Sequence, residues 1–276
     1  MEDLSATVVF YNPDNSAFDN IKSYLEYVNL LIIVDNSEYP TIYPESLIGV
    51  SKIKIINNKG NLGIATALNI GARMSIQNGY FWMLTMDQDS NFDKIEAEKY
   101  FSLFRSEKQE ALGILSPSQL DVSEDTEQPL IVMTSGNIIN LKSYQQIGGF
   151  CDKLFIDEVD HDYCLRTVLA KFDIKQAPIK MNHSLGSYTT FTAFGKKLVI
   201  STHSPIRLYY IVRNNLYMFE KYGKLFPKLI SERKLMLTKV IFNNLFFDPR
   251  SLPKKLSYLK RAFTDYKQGK YGKYTG

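Results

Sequence analysis

The chain is poor in the features that announce most specialised protein classes. It carries two cysteines, Cys151 and Cys164, in 276 residues. That is too few for a disulfide framework, and with His161 beside them they do not make a zinc-ligand spacing, so free thiols in a reducing cytoplasm are expected. No stretch approaches the roughly 18 apolar residues of a membrane-spanning helix. The opening MEDLSATVVFYNP is acidic and polar ahead of its first apolar run, unlike a signal peptide. There is no GxxxxGK(S/T) phosphate loop, and Gly60 and Gly63 do not complete a GxGxxG. Neither a P-loop nucleotidase nor a dinucleotide-dependent dehydrogenase is therefore supported. What remains is an ordinary globular composition, 45% hydrophobic and 22% charged, at a length suited to one large α/β domain or two small ones. A cytoplasmic protein, soluble or peripheral to the inner face of a membrane, is the expectation.

Charge is unevenly spread. From Pro253 to Gly276 the net charge is +6, which leaves −2 for the rest of a chain whose total is +4. Interleaved with Leu256, Tyr258, Leu259, Phe263 and Tyr266, this basic end is compatible with attraction to an anionic membrane surface. A solvated helix with an apolar stripe packed on the body reads equally well. Nothing in the charge pattern calls for nucleic acid.

Short apolar runs alternate with helical periodicity through the first half. Thr7–Tyr11, Leu30–Val34, Ile53–Ile56 and Phe81–Met86 read as strands. Asp19–Val28 and Ile64–Gln77 read as helices, the second with small residues such as Ala67 and Gly71 for close packing on a sheet. Alternating strands and helices imply a doubly wound, mostly parallel sheet. Each strand runs into polar loop residues, namely Asn12, Asp35, Asn61, Asp87 and Asp89. Ligands of open α/β sheets bind at those carboxyl ends.

Asp87 and Asp89 close the run FWMLTMDQDS. Side chains alternate along a strand, so the two carboxylates share a face and Gln88 points away. Like charges held that close repel unless a cation intervenes, and hard oxygen ligands suit Mg²⁺ or Mn²⁺. An Asp-rich turn after a strand is the competing explanation. The convergence of several polar strand ends favours the metal.

VVFYNP, the strand ending VDNS, NNKGNLGIATALNIG and TMDQDS, in this order and spacing, resemble the family 2 glycosyltransferases of GT-A fold. The nearest branch is the rhamnosyltransferase-like one, where DQDS is a typical form of the family's DXD motif. The resemblance implies a Rossmann-like, mostly parallel sheet flanked by helices over residues 4–205, followed by a helical extension over 206–276. It also implies a nucleotide-diphosphate-sugar donor, dTDP- or UDP-linked, and a saccharide or lipid-linked saccharide acceptor of a bacterial surface polysaccharide. Asp35 and Asn36 fall where the family contacts the base, and Asn61 where it lines the nucleotide pocket. Asn12, Gln88 and Arg213 complete the expected donor-binding set. Asp87 is placed toward ribose and sugar and beside the metal, Asp89 on the metal, and His183 on the position that completes the metal site.

In the second half, Glu96–Arg105 reads as a helix, Leu112–Leu115 as a strand, and Asp121–Gln128 as a solvated acidic loop. Leu130–Thr134 and Gly136–Leu141 read as strands flanking Ser135-Gly136-Asn137. The segment LFIDEVDHDYCLR holds Asp157, Glu158, Asp160 and Asp162. Some of these acids can simply favour the N-terminus of a helix over Asp160–Phe172. An inverting transfer needs one carboxylate to take the acceptor's proton. The segment resembles the family's ED motif, which places that base at Asp160, with Asp157 second and Asp162 third; Val159 replaces the usual Glu. Arg166, one turn beyond Asp162, can pair with it. Ser204-Pro205 opens a helix on which Arg207, Tyr210, Arg213 and Asn214 share a face, within an RxYYxxRN pattern similar to that of the same branch. Phe226–Phe247 reads as a further helix, packing on the body, a membrane or a second subunit. His161 and His203 read as surface or loop residues. The rival classes are a non-catalytic saccharide- or nucleotide-binding module and a sugar nucleotidyltransferase. The latter would need a Gly-rich, Arg-containing loop where Asn12-Pro13-Asp14-Asn15 stands.

Overall fold

The computed structural model describes residues 4–107, 109–118, 128–183, 188–193, 196–248 and 251–276, with the side chains of 188–201 excepted. The acidic stretch 121–127 therefore lies outside the described residues. By internal contacts the chain divides into two units. The first comprises Met1–Phe155 with Val159–Ser184, the second Ile156–Glu158 with Leu185–Gly276. The division thus falls about twenty residues before the boundary expected at 205, because the strands after residue 187 belong with the C-terminal helices.

The first unit is built on a seven-stranded sheet. Its strands are β1 (Leu4–Phe10), β2 (Leu30–Asp35), β3 (Ile53–Asn57), β4 (Trp82–Asp87), β6 (Leu112–Ser118), β7 (Ile138–Asn140) and β8 (Asp173–Lys180). They are ordered β3-β2-β1-β4-β7-β6-β8, and β7 runs antiparallel to both neighbours while the other pairings are parallel. The helices are α1 (Asn15–Ile21), α2 (Ile64–Gln77), α3 (Lys94–Glu107), α4 (Leu141–Ile147) and α5 (Val159–Leu169). A small ribbon pairs β5 (Ser90–Asn91) with β9 (Asn182–His183).

β1 shows why the sequence folds this way. Leu4, Ala6, Val8 and Phe10 point to one face and join the core with Leu84, Met86, Tyr100 and Phe101. Burying one such large apolar side chain is worth about 1.5–3 kcal/mol. Ser5 and Thr7 point to the other face, toward α2. There Ser5 Oγ donates to Ser75 Oγ at 2.7 Å, and a Cβ on Gly71 would come within 2.2 Å of Thr7 Oγ1. Only glycine lets the α2 backbone lie that close to β1.

Most expected elements are present, with α2 spanning its expected residues and β4 beginning one residue late. Two expectations are corrected. Leu130–Thr134 is irregular rather than a strand, because Thr85 on β4 takes up its end: Thr85 Oγ1 donates to Thr134 O at 2.6 Å. The helix expected over Asp19–Val28 is instead α1, capped by Asp14, and a short 3-10 turn at Leu25–Tyr27.

The second unit holds the antiparallel strands β10 (Tyr188–Ala193) and β11 (Lys196–Ser201) and helices α6 (Pro205–Tyr222), α7 (Pro227–Phe246) and α8 (Leu252–Lys267). Ser204 caps α6, its hydroxyl accepting from Arg207 N. The basic C-terminal stretch forms α8, whose inward face includes Leu259 and Ala262, while Leu256 and Phe263 remain exposed. No helix among the described residues is long and apolar enough to cross a membrane.

Candidate active site

The carboxyl ends of β1 to β4 meet in register. Phe10 lies opposite Asp35, Asp35 opposite Asn57, and Val9 opposite Asp87. The loops that leave these strands are tied to one another rather than splayed. Gln88 Oε1 accepts from Tyr11 N at 2.8 Å and its Nε2 donates to Tyr11 O at 3.3 Å. The Gln88 side chain thus substitutes for a missing backbone pairing between the β1 and β4 ends. Asn12, at φ +47, donates its backbone N–H to Ser37 Oγ at 2.8 Å.

Asp35 is fully buried. Its Oδ1 accepts from Ser37 N (2.8 Å) and its Oδ2 from the Tyr43 hydroxyl (2.9 Å). Burial pushes the carboxyl upward, but hydrogen bonds from Ser37, Thr41 and Tyr43 outweigh it and hold the pKa below the ordinary value. Asn36 bridges two loops, Oδ1 accepting from Asn58 Nδ2 (2.8 Å) and Nδ2 donating to Gly63 O (3.2 Å). Asn61 Oδ1 accepts from Gly63 N (2.9 Å). Gly63 itself sits at φ +89, and a Cβ there would lie 2.6 Å from Phe155 O. The loop before α2 therefore demands glycine twice over, for its backbone angle and for the approach of Phe155.

Asp87 closes β4, its backbone N–H donating to Ser135 Oγ at 3.0 Å. The Ser135-Gly136-Asn137 turn is bound to β4 through Thr85 N to Asn137 O (2.8 Å) and Gly136 N to Thr85 O (2.7 Å). Gly136, at φ +84, leaves room for Met181 Sδ, which a Cβ would meet at 2.7 Å. Met181 leads into β9, and the β5–β9 pairing sets His183 opposite Ser90. Residues 93 positions apart are thereby joined, with Ser90 Oγ 2.6 Å from His183 Nδ1. His183 Nδ1 is also 3.5 Å from Asp89 Oδ1. One ligand atom each from Asp87, Asp89 and His183 lie within 4.8 Å of one another.

The residues fit a divalent cation. Burial pushes the Asp87 carboxyl up to about 6; His183 opposes the shift, and the charges of Asp89 and Asp160 add to it. Such an excess of negative charge in an enclosed place is what a bound cation relieves. The Ser90 hydroxyl beside Nδ1 helps fix the orientation of the His183 ring next to Asp89.

The second acidic cluster is organised differently. On α5, Asp162 is fully buried and accepts from Arg166 Nε at 2.7 Å, while Arg166 Nη1 donates to Ile147 O at 2.8 Å. This pairing occupies Asp162 in structure. Asp160, in the first turn of α5, accepts from His161 N at 2.8 Å and lies 2.9 Å from His161 Nδ1. Its charge registers at Asp87, which associates it electrostatically with the Asp87–Asp89–His183 group. Within the second unit, Asp157 Oδ1 accepts from Arg207 Nε (3.0 Å) and Nη2 (2.6 Å), and Glu158 pairs with Arg233. Phe155, Asp157 and Glu158 all have positive φ, +61, +63 and +66, a backbone region that costs a non-glycine residue about 1–2 kcal/mol.

Arg213 is 1% exposed. Its guanidinium donates to Asn214 Oδ1 (3.0 Å), Tyr209 Oη (3.2 Å) and Gly272 O (2.9 Å) and lies over the rings of Tyr209, Tyr210 and Tyr271. It anchors the C-terminal residues to α6, a role that the helical spacing of its neighbours does not reveal. Sequence reasoning also missed Ser90, Tyr43 and Asn69, whereas Ser135 lies in the Ser135-Gly136-Asn137 segment that it singled out. Asn69 is saturated: its Oδ1 accepts from Phe150 N (2.9 Å) and Tyr144 Oη (2.8 Å), and its Nδ2 donates to Phe150 O (2.9 Å) and Asp152 Oδ1 (2.8 Å). Ser90 and Asn69 both lie inside quoted motifs, DQDS and NNKGNLGIATALNIG, but their partners His183 and Phe150 are 93 and 81 positions away.

The chain is similar to known proteins. Residues 5–164 match the family model described as "Glycosyl transferase family 2". A "dTDP-rhamnosyl transferase RfbF" of Shigella flexneri is 25% identical over 94% of this chain and 92% of its own length. Among solved structures, "Crystal structure of S. aureus TarS" superposes with a TM-score of 0.54 at 13% identity, covering 97% of this chain, which spans about half (49%) of that one. That likeness concerns the fold. The strand order, the Asp87–Asp89–His183 group and the match over most of the first unit agree: the chain is a glycosyltransferase of GT-A fold and belongs to glycosyl transferase family 2.

Proposed function

We propose that the chain transfers a rhamnosyl or closely related hexosyl group, with inversion, from a dTDP-linked donor to a hydroxyl of a saccharide acceptor. The observation that carries this reading is the Asp87–Asp89–His183 group with the charge of Asp160 felt at Asp87. The similarity over 94% of the chain to a protein named as a dTDP-rhamnosyl transferase supports the donor. Asp89, His183 and Asp87 would hold a divalent cation, with Mn²⁺ favoured over Mg²⁺ by the imidazole in the set. When bound, that ion neutralises the donor's diphosphate and the charge left on the departing nucleotide. Asp35, Asn36 and Asn61 shape the nucleoside side of the pocket, Asn12 and Gln88 hold the loops that border it, and Asp87 orients ribose and sugar. Asp160 accepts the acceptor's proton as its oxygen bonds to the anomeric carbon and the bond from that carbon to the diphosphate breaks.

Asp157 is the weaker choice of base because Arg207 holds its carboxylate. Arg213 is assigned to the interior of the second unit rather than to the donor. A lipid-linked acceptor at an anionic membrane surface agrees with Leu256 and Phe263 exposed on α8 among its lysines.

The test is a panel of dTDP-, UDP- and GDP-sugars with the full chain, with and without Mn²⁺, read by thermal stabilisation and by the anomeric configuration of the product. Metal-dependent stabilisation by dTDP-rhamnose, and product of opposite configuration to the donor, are the expected results. Selective stabilisation by a UDP-hexose would replace the donor, and a retained configuration would remove Asp160 from its role.

A further inference from the structure

Four consecutive residues, Phe155-Ile156-Asp157-Glu158, come just before the helix that carries Asp160. Three of them have positive φ, which side chains with a Cβ adopt only when surrounding contacts impose it. Those contacts are identifiable. Upstream, Asn69 saturates the Phe150–Asp152 loop, and Phe155 O accepts from Ile64 N at 2.8 Å. The next three residues belong to the second unit and are held within it. Asn214 Nδ2 donates to Ile156 O (2.7 Å) and Asp157 O (3.2 Å), and Arg207 binds the Asp157 carboxylate. Glu158, 8% exposed, meets both Arg233 and Asn215, whose Nδ2 donates to Glu158 Oε1 at 2.9 Å.

A buried, hydrogen-bonded ion pair at this place is not needed to close a core. An apolar pair of the same size commonly packs as well. What the pair does supply is direction, because a carboxylate held by a guanidinium and an amide has one orientation. Its backbone is two residues from Asp160, with one helical residue, Val159, between them. We propose that Arg233, acting through Glu158, and Arg207, acting through Asp157, are positioning residues that set the first turn of α5 and so aim the Asp160 carboxylate. This rests on Asp160 being the base.

The inference separates two properties that a merely structural pair would change together. Binding of nucleotide and metal involves strand ends held within the first unit, whereas the aim of Asp160 depends on Glu158. Arg233→Met should therefore lower kcat about 10- to 100-fold, as expected for a mispositioned base, while KM for the donor and the Kd of dTDP with Mn²⁺ stay within about twofold. Glu158→Gln should lower kcat less, since Asn215 and Arg233 can still bind it. Arg207→Lys should retain more activity than Arg207→Met.

The decisive experiment compares full-length wild type with Arg233→Met, Glu158→Gln, the double variant Glu158→Gln/Arg233→Met and Arg261→Met. The double variant removes both charges if Arg233→Met alone fails to fold. The last breaks the Arg261–Asp265 pair on α8 as a reference for general destabilisation. Rates with dTDP-rhamnose, dTDP–Mn²⁺ calorimetry and hydrogen exchange over 155–165 are measured on each. Supporting results are faster exchange at 159–163 and a kcat loss confined to the Glu158 and Arg233 variants. Unchanged exchange there, or an Arg261→Met loss of equal size, overturns the inference. If the wild type itself ignores dTDP-rhamnose, the donor proposed above falls. Exchange and nucleotide binding then still decide whether Arg233 governs the α5 turn.

Discussion

Two acidic clusters, Asp87-Gln88-Asp89 and Asp157–Asp162, look alike as sequence and are resolved in opposite ways by the fold. In the second, acids meet arginines: Asp157 with Arg207, Glu158 with Arg233, Asp162 with Arg166. In the first, no lysine or arginine among the described residues pairs with Asp87 or Asp89, and the one nitrogen partner is His183. A cluster neutralised by arginine is a structural device, complete as it stands. A cluster with a surplus of carboxylate and a hydroxyl-oriented imidazole could instead hold a divalent cation, the class of ion that this donor set suits. Asp160 belongs to the second cluster by sequence, but its charge is felt by the first.

That contrast can be broken most sharply at Asp160 and Asp89. Asp160→Asn should reduce kcat by about two to four orders of magnitude with dTDP–Mn²⁺ binding unchanged by calorimetry. Asp89→Ala should lose about two to three orders of magnitude in turnover, together with the metal dependence of thermal stabilisation. Near-normal turnover in either variant would dissolve the distinction between the clusters.

Arg166→Met should do the reverse. It leaves the Asp162 carboxylate buried without its partner, which typically costs about 3–5 kcal/mol, so denaturant unfolding should shift strongly while turnover per folded molecule, and the Kd for Mn²⁺, change little. A selective loss of turnover without a stability change would move Asp162 into the chemistry.

A smaller effect is expected with pH. Asp87 has its pKa raised from 3.8 to about 6, so in the metal-free fold the proton is held more tightly than in the unfolded chain. Stability from this group is present below pH 3.8 and is lost as pH rises toward 6. Metal binding runs the other way, because the ligand must be ionised. Mn²⁺ affinity should fall by up to about tenfold per pH unit below 6 from Asp87, and Asp87→Asn should flatten that slope. The smallest effect belongs to Tyr43→Phe, which removes one hydrogen bond to Asp35. It should cost about 1 kcal/mol in unfolding free energy and move the Asp35 carboxyl upward in an NMR titration.

Much of the architecture is legible in the sequence, and the reason is local. β2 (LLIIVD) is apolar almost throughout because both its faces are covered, so it reads as a buried strand by composition alone. The α2 periodicity and its small residues announce a helix pressed on a sheet. The strand expected at Leu130–Thr134 failed because apolar composition cannot distinguish a strand from an irregular segment bound by one hydroxyl, here Thr85. Arg213 was expected at the donor because a basic residue on a helix face is compatible with a ligand; its burial among tyrosines depends on residues about sixty positions away, such as Gly272 and Tyr271.

From its sequence alone this chain already determined a doubly wound α/β body, strand ends rich in Asp and Asn, and a pair of aspartates two residues apart at the end of the fourth strand. Those are consequences of periodicity and of strand geometry, which act over a few residues. Only the tertiary structure decided which carboxylates are spoken for. The two-residue pairing of β5 with β9 brings His183 to Ser90 and Asp89, and α6 and α7 deliver Arg207 and Arg233 to Asp157 and Glu158, whereas the Arg166–Asp162 pair within α5 follows from helical spacing alone. Whether a charge is neutralised depends on groups within a few ångströms in space, and in this chain most of those groups lie tens of residues apart.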